Sequence, residues 1–356
     1  MNIDQELRVG VVGLGWAGET HLQGFLRLPN VRVVAVSDTR ADHAEAIRAK
    51  YDLEAAYTDY NELVARPDLD IVSVATPNYL HMPVSVAALQ HGKHVLCEKP
   101  LALDSAEGQA MVDAAIAADR VLEVSFNHRK RGDVEVLRQA LEDDALGRIY
   151  YAKAFWMRRR GIPGMGGWFT TRRLSGGGPL IDLGVHVLDM ALYLLGDPEV
   201  LSVSAQTYSE IGVQGIGSRG DVFDPSRFDV EDLATAFIRL EGGITLLLEA
   251  SWASNGENDD DFGVALYGTK GGGKIDVRLY ASEDTLSIYH DIGGAPAVSR
   301  PKVYRGAGHA AIVQDFVNVI RSGSYADHRG VSALRRTRII EACYTSAQTG
   351  REVILG

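Results

Sequence analysis

The chain has 356 residues, a formal net charge of −11, 46% apolar residues and two cysteines. That length exceeds what one hydrophobic core usually fills, so two domains are expected, and the acidic balance argues against nucleic acid or an anionic membrane as partner, since both need a basic surface. No apolar run is long enough to span a bilayer and the opening MNIDQELR is polar, which points to a cytoplasmic protein; Cys97 and Cys343 read as reduced core thiols, with a single bridge left open.

In chain order, short β-branched runs at Arg8 to Val12, Val31 to Ser37, Ile71 to Ala75, His94 to Cys97 and Val121 to Phe126 alternate with helical stretches. The helices fall around Glu19 to Leu28, Ala44 to Tyr51, Met82 to Gln90 and Ala106 to Ala118. Such alternation builds a doubly wound parallel sheet, an α/β dinucleotide-binding domain over residues 1–126.

After Asn127 the pattern changes. A helix near Val134 to Leu141 and a strand at Ile149 to Met157 precede a glycine-rich stretch and a helix at Leu180 to Leu195. Strand-like runs follow at Val200 to Tyr208, Leu233 to Leu240, Ile244 to Ser251, Phe262 to Tyr267 and Lys274 to Leu279. Helices around Ala311 to Arg321 and Val331 to Ser346 close the chain, the second capped by Gly350. This reads as an α+β domain over 127–356 with an open, mixed and largely antiparallel sheet. The polar segments Gly212 to Pro225 and Asn255 to Asp261 read as loops whose acidic residues are solvated.

The run Gly13-Leu14-Gly15-Trp16-Ala17-Gly18 sets G-x-G-x-x-G between the first strand and a helix. Gly13 permits the tight turn, Gly15 lets backbone approach a pyrophosphate, and Gly18 lets helix and strand pack closely. Asp38, at the end of the second strand, is placed to accept hydrogen bonds from the adenosine ribose hydroxyls. Its carboxylate repels the 2′-phosphate of NADP and so favours NAD, while Arg40 leaves NADP use open. A second phosphate-loop-like string, Gly268 to Lys274, has Ile275 where magnesium binding needs Ser or Thr, and reads as a turn between strands.

Three further segments resemble the Gfo/Idh/MocA oxidoreductases, over essentially the whole chain. They are Ala75-Thr76-Pro77-Asn78-Tyr79-Leu80-His81, Gly92-Lys93-His94-Val95-Leu96-Cys97-Glu98-Lys99-Pro100, and Gly176-Gly177-Gly178-Pro179-Leu180-Ile181-Asp182-Leu183-Gly184-Val185-His186. The resemblance implies a Rossmann domain, a C-terminal domain whose open sheet serves oligomerisation as a homodimer or homotetramer, and a substrate cleft between them. By motif match it makes Lys99 the catalytic lysine and Asp182 and His186 the catalytic pair. It sets Thr76, Pro77, Asn78, His81 and Glu98 along the nicotinamide half of the cofactor.

The same residues carry the chemistry on their own terms. Lys99 falls at the C-terminal edge of a parallel strand, where open α/β sheets bind ligands, and its ammonium can stabilise a developing alkoxide. Asp182 and His186 are i and i+4 on one helix, so the carboxylate can orient the imidazole as a general base. A surface lysine and an ordinary helix pair are the bland alternatives. Asp189 extends the pair into a metal-like set, but no further ligand has an obvious source and hydride transfer needs no metal, so none is expected.

Asn127, His128 and Arg129 follow the last Rossmann strand and are expected to face substrate or carboxamide. The glycine-rich stretch from Arg158 to Gly178, with Trp168 and Phe169, reads as a lid or sugar-stacking wall, or equally as a linker or oligomer contact. Arg158, Arg159, Arg160, Arg172 and Arg173 around it read as an anion site, cofactor contacts or surface charge. The expected activity is hydride transfer between NAD(H) and a secondary hydroxyl or ketone of a small carbohydrate or polyol. An NAD-retaining redox-assisted glycosidase and a non-catalytic NAD-binding sensor are the alternatives.

Overall fold

The computed structural model describes residues 5–164, 166–218 and 225–355. The chain forms two compact units, each built from two chain segments: residues 1–127 with 307–337, and 128–306 with 338–356. A single division after residue 126 therefore leaves out the return of 307–337 to the first unit. The reason is apolar. Helix α9 (His309–Ser322) carries Val313, Phe316, Val317 and Ile320 along one face, and these share a core with Leu22, Phe25, Val33 and Leu96 of the N-terminal segment. Following the chain, the other helices are numbered from the first, α1 (Trp16–Leu26), to the last, α10 (Val331–Thr349).

In the first unit six parallel strands stand in the order β3-β2-β1-β4-β5-β6. They are β1 (Leu7–Val12), β2 (Val31–Ser37), β3 (Ala55–Tyr57), β4 (Ile71–Val74), β5 (His94–Cys97) and β6 (Leu122–Val124). The order reverses between β1 and β4, so the C-terminal ends of those strands open a ligand crevice. The central strands are buried on both faces, which is why they read as continuous apolar runs. The short β3 and the five-residue helix Tyr60–Val64 have no counterpart in the predicted elements, being too short for a period to show. Helix α5 (Ser105–Ala118) starts at Asp104, whose side chain accepts from the Glu107 amide at 2.9 Å, a cap worth about 1 kcal/mol.

The second unit holds a nine-stranded sheet, β14-β13-β12-β11-β7-β10-β9-β8-β15, in which β7 and β10 pair in parallel and the other neighbours are antiparallel. Its strands are β7 (Ile149–Arg158), β8 (Val200–Tyr208), β9 (Leu233–Leu240), β10 (Ile244–Ser251), β11 (Asp260–Gly268), β12 (Gly272–Arg278), β13 (Leu286–Ile292), β14 (Ala295–Ser299) and β15 (Val353–Ile354). Strands β13, β14 and β15 have no counterpart in the predicted elements; β14 and β15 are the two edge strands of the sheet, and β13 and β14 alternate little between buried and exposed residues.

One face buries Ala152, Ala154, Trp156, Leu246, Leu248, Val264 and Leu266 beneath α8 (Val185–Leu194) and α6 (Gly132–Glu142). The opposite face presents Tyr151 against Tyr267, ring centroids 5.1 Å apart, with Phe237 more than a third exposed. Gly268 and Gly272 bound the hairpin expected of the second glycine-rich string. Of the two polar segments expected to be solvated loops, Gly212 to Pro225 includes 219–224, which lie outside the described residues. The other expectation is corrected in part: Asp260 is buried, because it pairs with Arg158 and the Trp156 indole inside β11. Both cysteines are buried free thiols, and burial pushes Cys343 up to about 12. Among the described residues no helix is long and apolar enough to cross a membrane.

Candidate active site

In the first unit the glycine loop has the geometry its spacing suggested. Gly13 has φ +85°, and a Cβ there would stand 2.5 Å from the Ala75 carbonyl oxygen; one on Gly18 would stand 1.9 Å from the Gly13 oxygen, while Gly15 faces open space. Helix α1 starts at Trp16 with no side-chain cap, so its first amides are left for an acceptor such as a pyrophosphate, with Ala17 in the same turn. Trp16 is 75% exposed. Asp38 accepts from the Leu14 amide at 3.2 Å and from the Arg40 amide and Nε at 3.0 and 3.3 Å. Burial works to raise its pKa, but these bonds outweigh it and hold the carboxyl below its usual range, so an anion faces the ribose position.

Past β4, Thr76 and Pro77 lead into a short turn over Asn78–Leu80. Thr76 Oγ1 and Asn127 Oδ1, at the C-terminal ends of β4 and β6, are buried polar atoms without a hydrogen-bond partner among the described residues, as expected where a bound group completes the set. These atoms and the open glycine loop fit a dinucleotide. His81 is placed differently from a cofactor contact. It is 1% exposed, its ring nitrogens lie 2.6 Å from the Pro100 oxygen and 2.9 Å from the Thr76 oxygen, and it ties the two loops together. Glu98 is likewise buried, with its carboxylate toward His21 and His309 and its Oε2 accepting from the Lys99 amide. Lys99 is half-buried and joined to Pro100 by a cis peptide bond.

In the second unit the segment expected as one helix is two. Leu180–Gly184 is a π-helical turn carrying Asp182, and His186 lies in the first turn of α8. Glu231, buried, accepts from the Leu180 amide at 3.1 Å and from the Tyr344 hydroxyl at 2.8 Å, and so anchors the start of that turn. Gly177 and Gly178 make room for this anchor: a Cβ on Gly177 would stand 2.0 Å from the Tyr344 hydroxyl, and one on Gly178 2.0 Å from the Glu231 backbone carbonyl oxygen. Asp182 accepts from the Trp252 indole at 2.9 Å. The His186 ring, 9% exposed, sits 4.8 Å from His128 and 5.6 Å from Trp156.

Three expected substrate residues have defined settings. Arg129 grips buried Asp189 through two hydrogen bonds of 2.8 and 2.5 Å, which gives the carboxylate of the metal-like D-x-x-x-H-x-x-D pattern an arginine partner. Arg158 donates to Asp260 at 3.0 Å and to the Tyr280 hydroxyl at 2.8 Å. Trp168 stacks on Phe169 at 3.8 Å, and Phe169 meets Trp252 edge-on. Trp168 lines a hollow of about 420 Å³ with Arg173, Leu174, Arg227 and Asp229, while Arg159 and Arg160 bond around Ser254 and Asn255. Sequence reasoning missed Trp252, Glu231, Tyr344, His21 and His309. Within its own unit each comes from a segment distant in sequence from the motif residue it touches, and no local spacing marks them.

Residues 7–126 match the model of the oxidoreductase family with an NAD-binding Rossmann fold, and residues 134–273 match the GFO/IDH/MocA C-terminal domain. The chain is 33% identical over 351 residues to D-glucoside 3-dehydrogenase of Escherichia coli K12, covering 98% of this chain and 97% of that one. Levoglucosan dehydrogenase in complex with NADH superposes with a TM-score of 0.85 at 25% identity, over 99% of this chain and 100% of that chain. Aldose-aldose oxidoreductase of Caulobacter crescentus, complexed with glycerol, gives 0.81 at 28% identity, over 99% and 100%.

Proposed function

Because this chain belongs to the Gfo/Idh/MocA oxidoreductase family, we propose that it is an NAD(H)-dependent dehydrogenase or reductase of a secondary hydroxyl or ketone on a sugar, cyclitol or sugar derivative. The observation that carries the reading is the combination, in one chain, of an open dinucleotide loop with the Lys99 and Asp182/His186 motifs. The 33% identity to a glucoside dehydrogenase over nearly the full length supports a carbohydrate substrate.

Nicotinamide supplies the hydride acceptor at C4 in oxidation and the donor in reduction. His186 takes the hydroxyl proton as general base, and Asp182, steadied by Trp252, orients the imidazole and balances its charge. Lys99 hydrogen-bonds the same oxygen and stabilises the charge that develops on it as the hydride leaves carbon. Asn127 and Thr76 offer buried oxygens to the carboxamide and ribose side, and Trp168 a flat apolar wall for a sugar ring. Arg129 and Arg158 are held in place by Asp189 and Asp260.

The test is NADH absorbance with purified protein, NAD or NADP, and a panel of cyclitols, aldoses, glucosides, sugar phosphates and uronates. Turnover on any member establishes the reaction class. Silence across the panel with NAD tightly retained sinks the reading in favour of redox-assisted glycoside cleavage or sensing. Asp38→Ser is expected to weaken NAD by about tenfold, the scale of hydrogen bonds to a charged acceptor, and to raise kcat/KM with NADP; an unchanged cofactor ratio would show that Asp38 does not select.

The protein acts in the cytoplasm as a homodimer or homotetramer, joined through the sheet face that carries half-buried Tyr151 with exposed Phe237 and Tyr267, since exposed apolar side chains on one face mark an association surface. Phe237→Glu should shift the mass in solution, by light scattering, to a smaller species. A monomeric wild type, or an unmoved mass, counts against that surface.

A further inference from the structure

Glu98 is a buried carboxylate that the proposed chemistry leaves without a step of its own. Its Oε1 lies 2.9 Å from His21 Nε2 and 3.6 Å from His309 Nε2, and its Oε2 accepts from the Lys99 amide at 3.2 Å. His21, on α1 and 0% exposed, is held at both nitrogens, with Nδ1 2.9 Å from Ser73 Oγ on β4 and Nε2 3.2 Å from Ser125 Oγ just past β6. His309 opens α9 and meets the Trp16 ring edge-on, with centroids 5.3 Å apart. A buried anion persists only if compensated, and here two imidazoles reached from opposite ends of the first unit's sequence do so. Burial alone would raise the Glu98 pKa; the two histidines outweigh it and hold the carboxyl well below its usual range.

The three ligand-type atoms also lie within 4.8 Å of one another, a spacing that a divalent cation accepts. Ser125 Oγ, however, already stands at hydrogen-bond distance from the His21 nitrogen such an ion would need, and Ser73 occupies the other, which favours a hydrogen-bonded network.

We propose that His309 and His21 are positioning residues for hydride transfer: they fix Glu98, whose carboxylate holds the Lys99 main chain and thereby aims the ammonium. The proposal rests on Lys99 being the catalytic lysine. It also assigns a role to the returning segment 307–337, which carries His309 to the end of β5.

The experiment uses the full-length protein, its best substrate from the sugar panel, and NAD titrated by calorimetry. His309→Ala is expected to lower kcat by at least about tenfold, with the Kd for NAD changed by less than about threefold, as befits loss of alignment rather than of binding. His309→Gln, whose amide nitrogen can reach Glu98 as Nε2 does, should return to within about threefold of wild type, whereas the shorter His309→Asn should behave like the alanine variant. On a Lys99→Ala background, His309→Ala should cost less than about twofold more, because the two act through one group.

Full kcat in both His309→Ala and His309→Asn, or an equal penalty with and without Lys99, overturns the proposal while leaving the catalytic lysine standing. So does one equivalent of bound divalent metal in wild type that is lost on His309→Ala. Wild-type turnover by Lys99→Ala overturns it together with the mechanism above.

Discussion

Lys99→Ala and His186→Ala should each cut turnover by at least about a hundredfold, within the range for loss of one general base or one electrostatic stabiliser, while the Kd for NAD stays nearly unchanged. NAD is expected to be held through the glycine loop and through Asp38, which accepts from the Leu14 amide and from Arg40, and this is why binding and turnover should separate. The two variants should differ from each other in pH dependence. Without His186 the acid limb of kcat/KM that reports imidazole titration should disappear; without Lys99 it should remain, on a lower plateau. Steady-state rates from pH 5 to 10, with calorimetry for NAD, decide the matter. Near-normal turnover in both variants would end the mechanism, whatever the substrate proves to be.

Gly18→Ala should be nearly as damaging, by another route. The new Cβ would sit 1.9 Å from the Gly13 carbonyl oxygen, a backbone atom that cannot swing aside as a side-chain tip can. Helix α1 must then lift from β1, at the cost of about 1–3 kcal/mol typical of overpacking. The lift moves the amides at Trp16 and Ala17 away from the pyrophosphate position, so NAD affinity should fall by about a hundredfold, the equivalent of roughly 2.7 kcal/mol. Gly15→Ala is the control: its Cβ meets nothing within 4 Å in the absence of a ligand, so stability should hold while NAD binding weakens. Calorimetric NAD titration and thermal unfolding of both variants separate the two effects. Equal melting temperatures would show that the Gly18 contact is not a packing constraint.

Much of this was legible in the residues. The parallel core strands announced themselves because burial on both faces makes them continuous apolar runs, and β8, β9 and β10 end where their alternation ends. The glycine loop and Asp38 were legible because a tight turn, a close approach and an anion are each the property of one residue type at one position. His81 and Glu98 show where such reading stops. Both stand in motifs that suggested cofactor contact, yet His81 ties two loops and Glu98 sits on two histidines, one of them 211 residues further along the chain. The π-helical turn at Asp182 was hidden for a similar reason, since the groups that set it, Glu231, Tyr344 and Trp252, come from elements far apart in sequence. Asp260 looked like loop charge because its partners, Trp156 and Arg158, lie on the neighbouring strand.

The return of residues 307–337 also constrains how the chain can be made and cut. Val313, Phe316, Val317 and Ile320 complete a core otherwise assembled from the first hundred or so residues. During synthesis the nucleotide-binding half must therefore wait, its apolar surface uncovered, until residues 307–337 have left the ribosome, a long-range closure of the sort that slows folding and invites chaperones. For the same reason a fragment stopped at residue 127 would be a poor stand-in for the cofactor domain, whereas one in which 307–337 is rejoined by a linker would carry its whole interior with it.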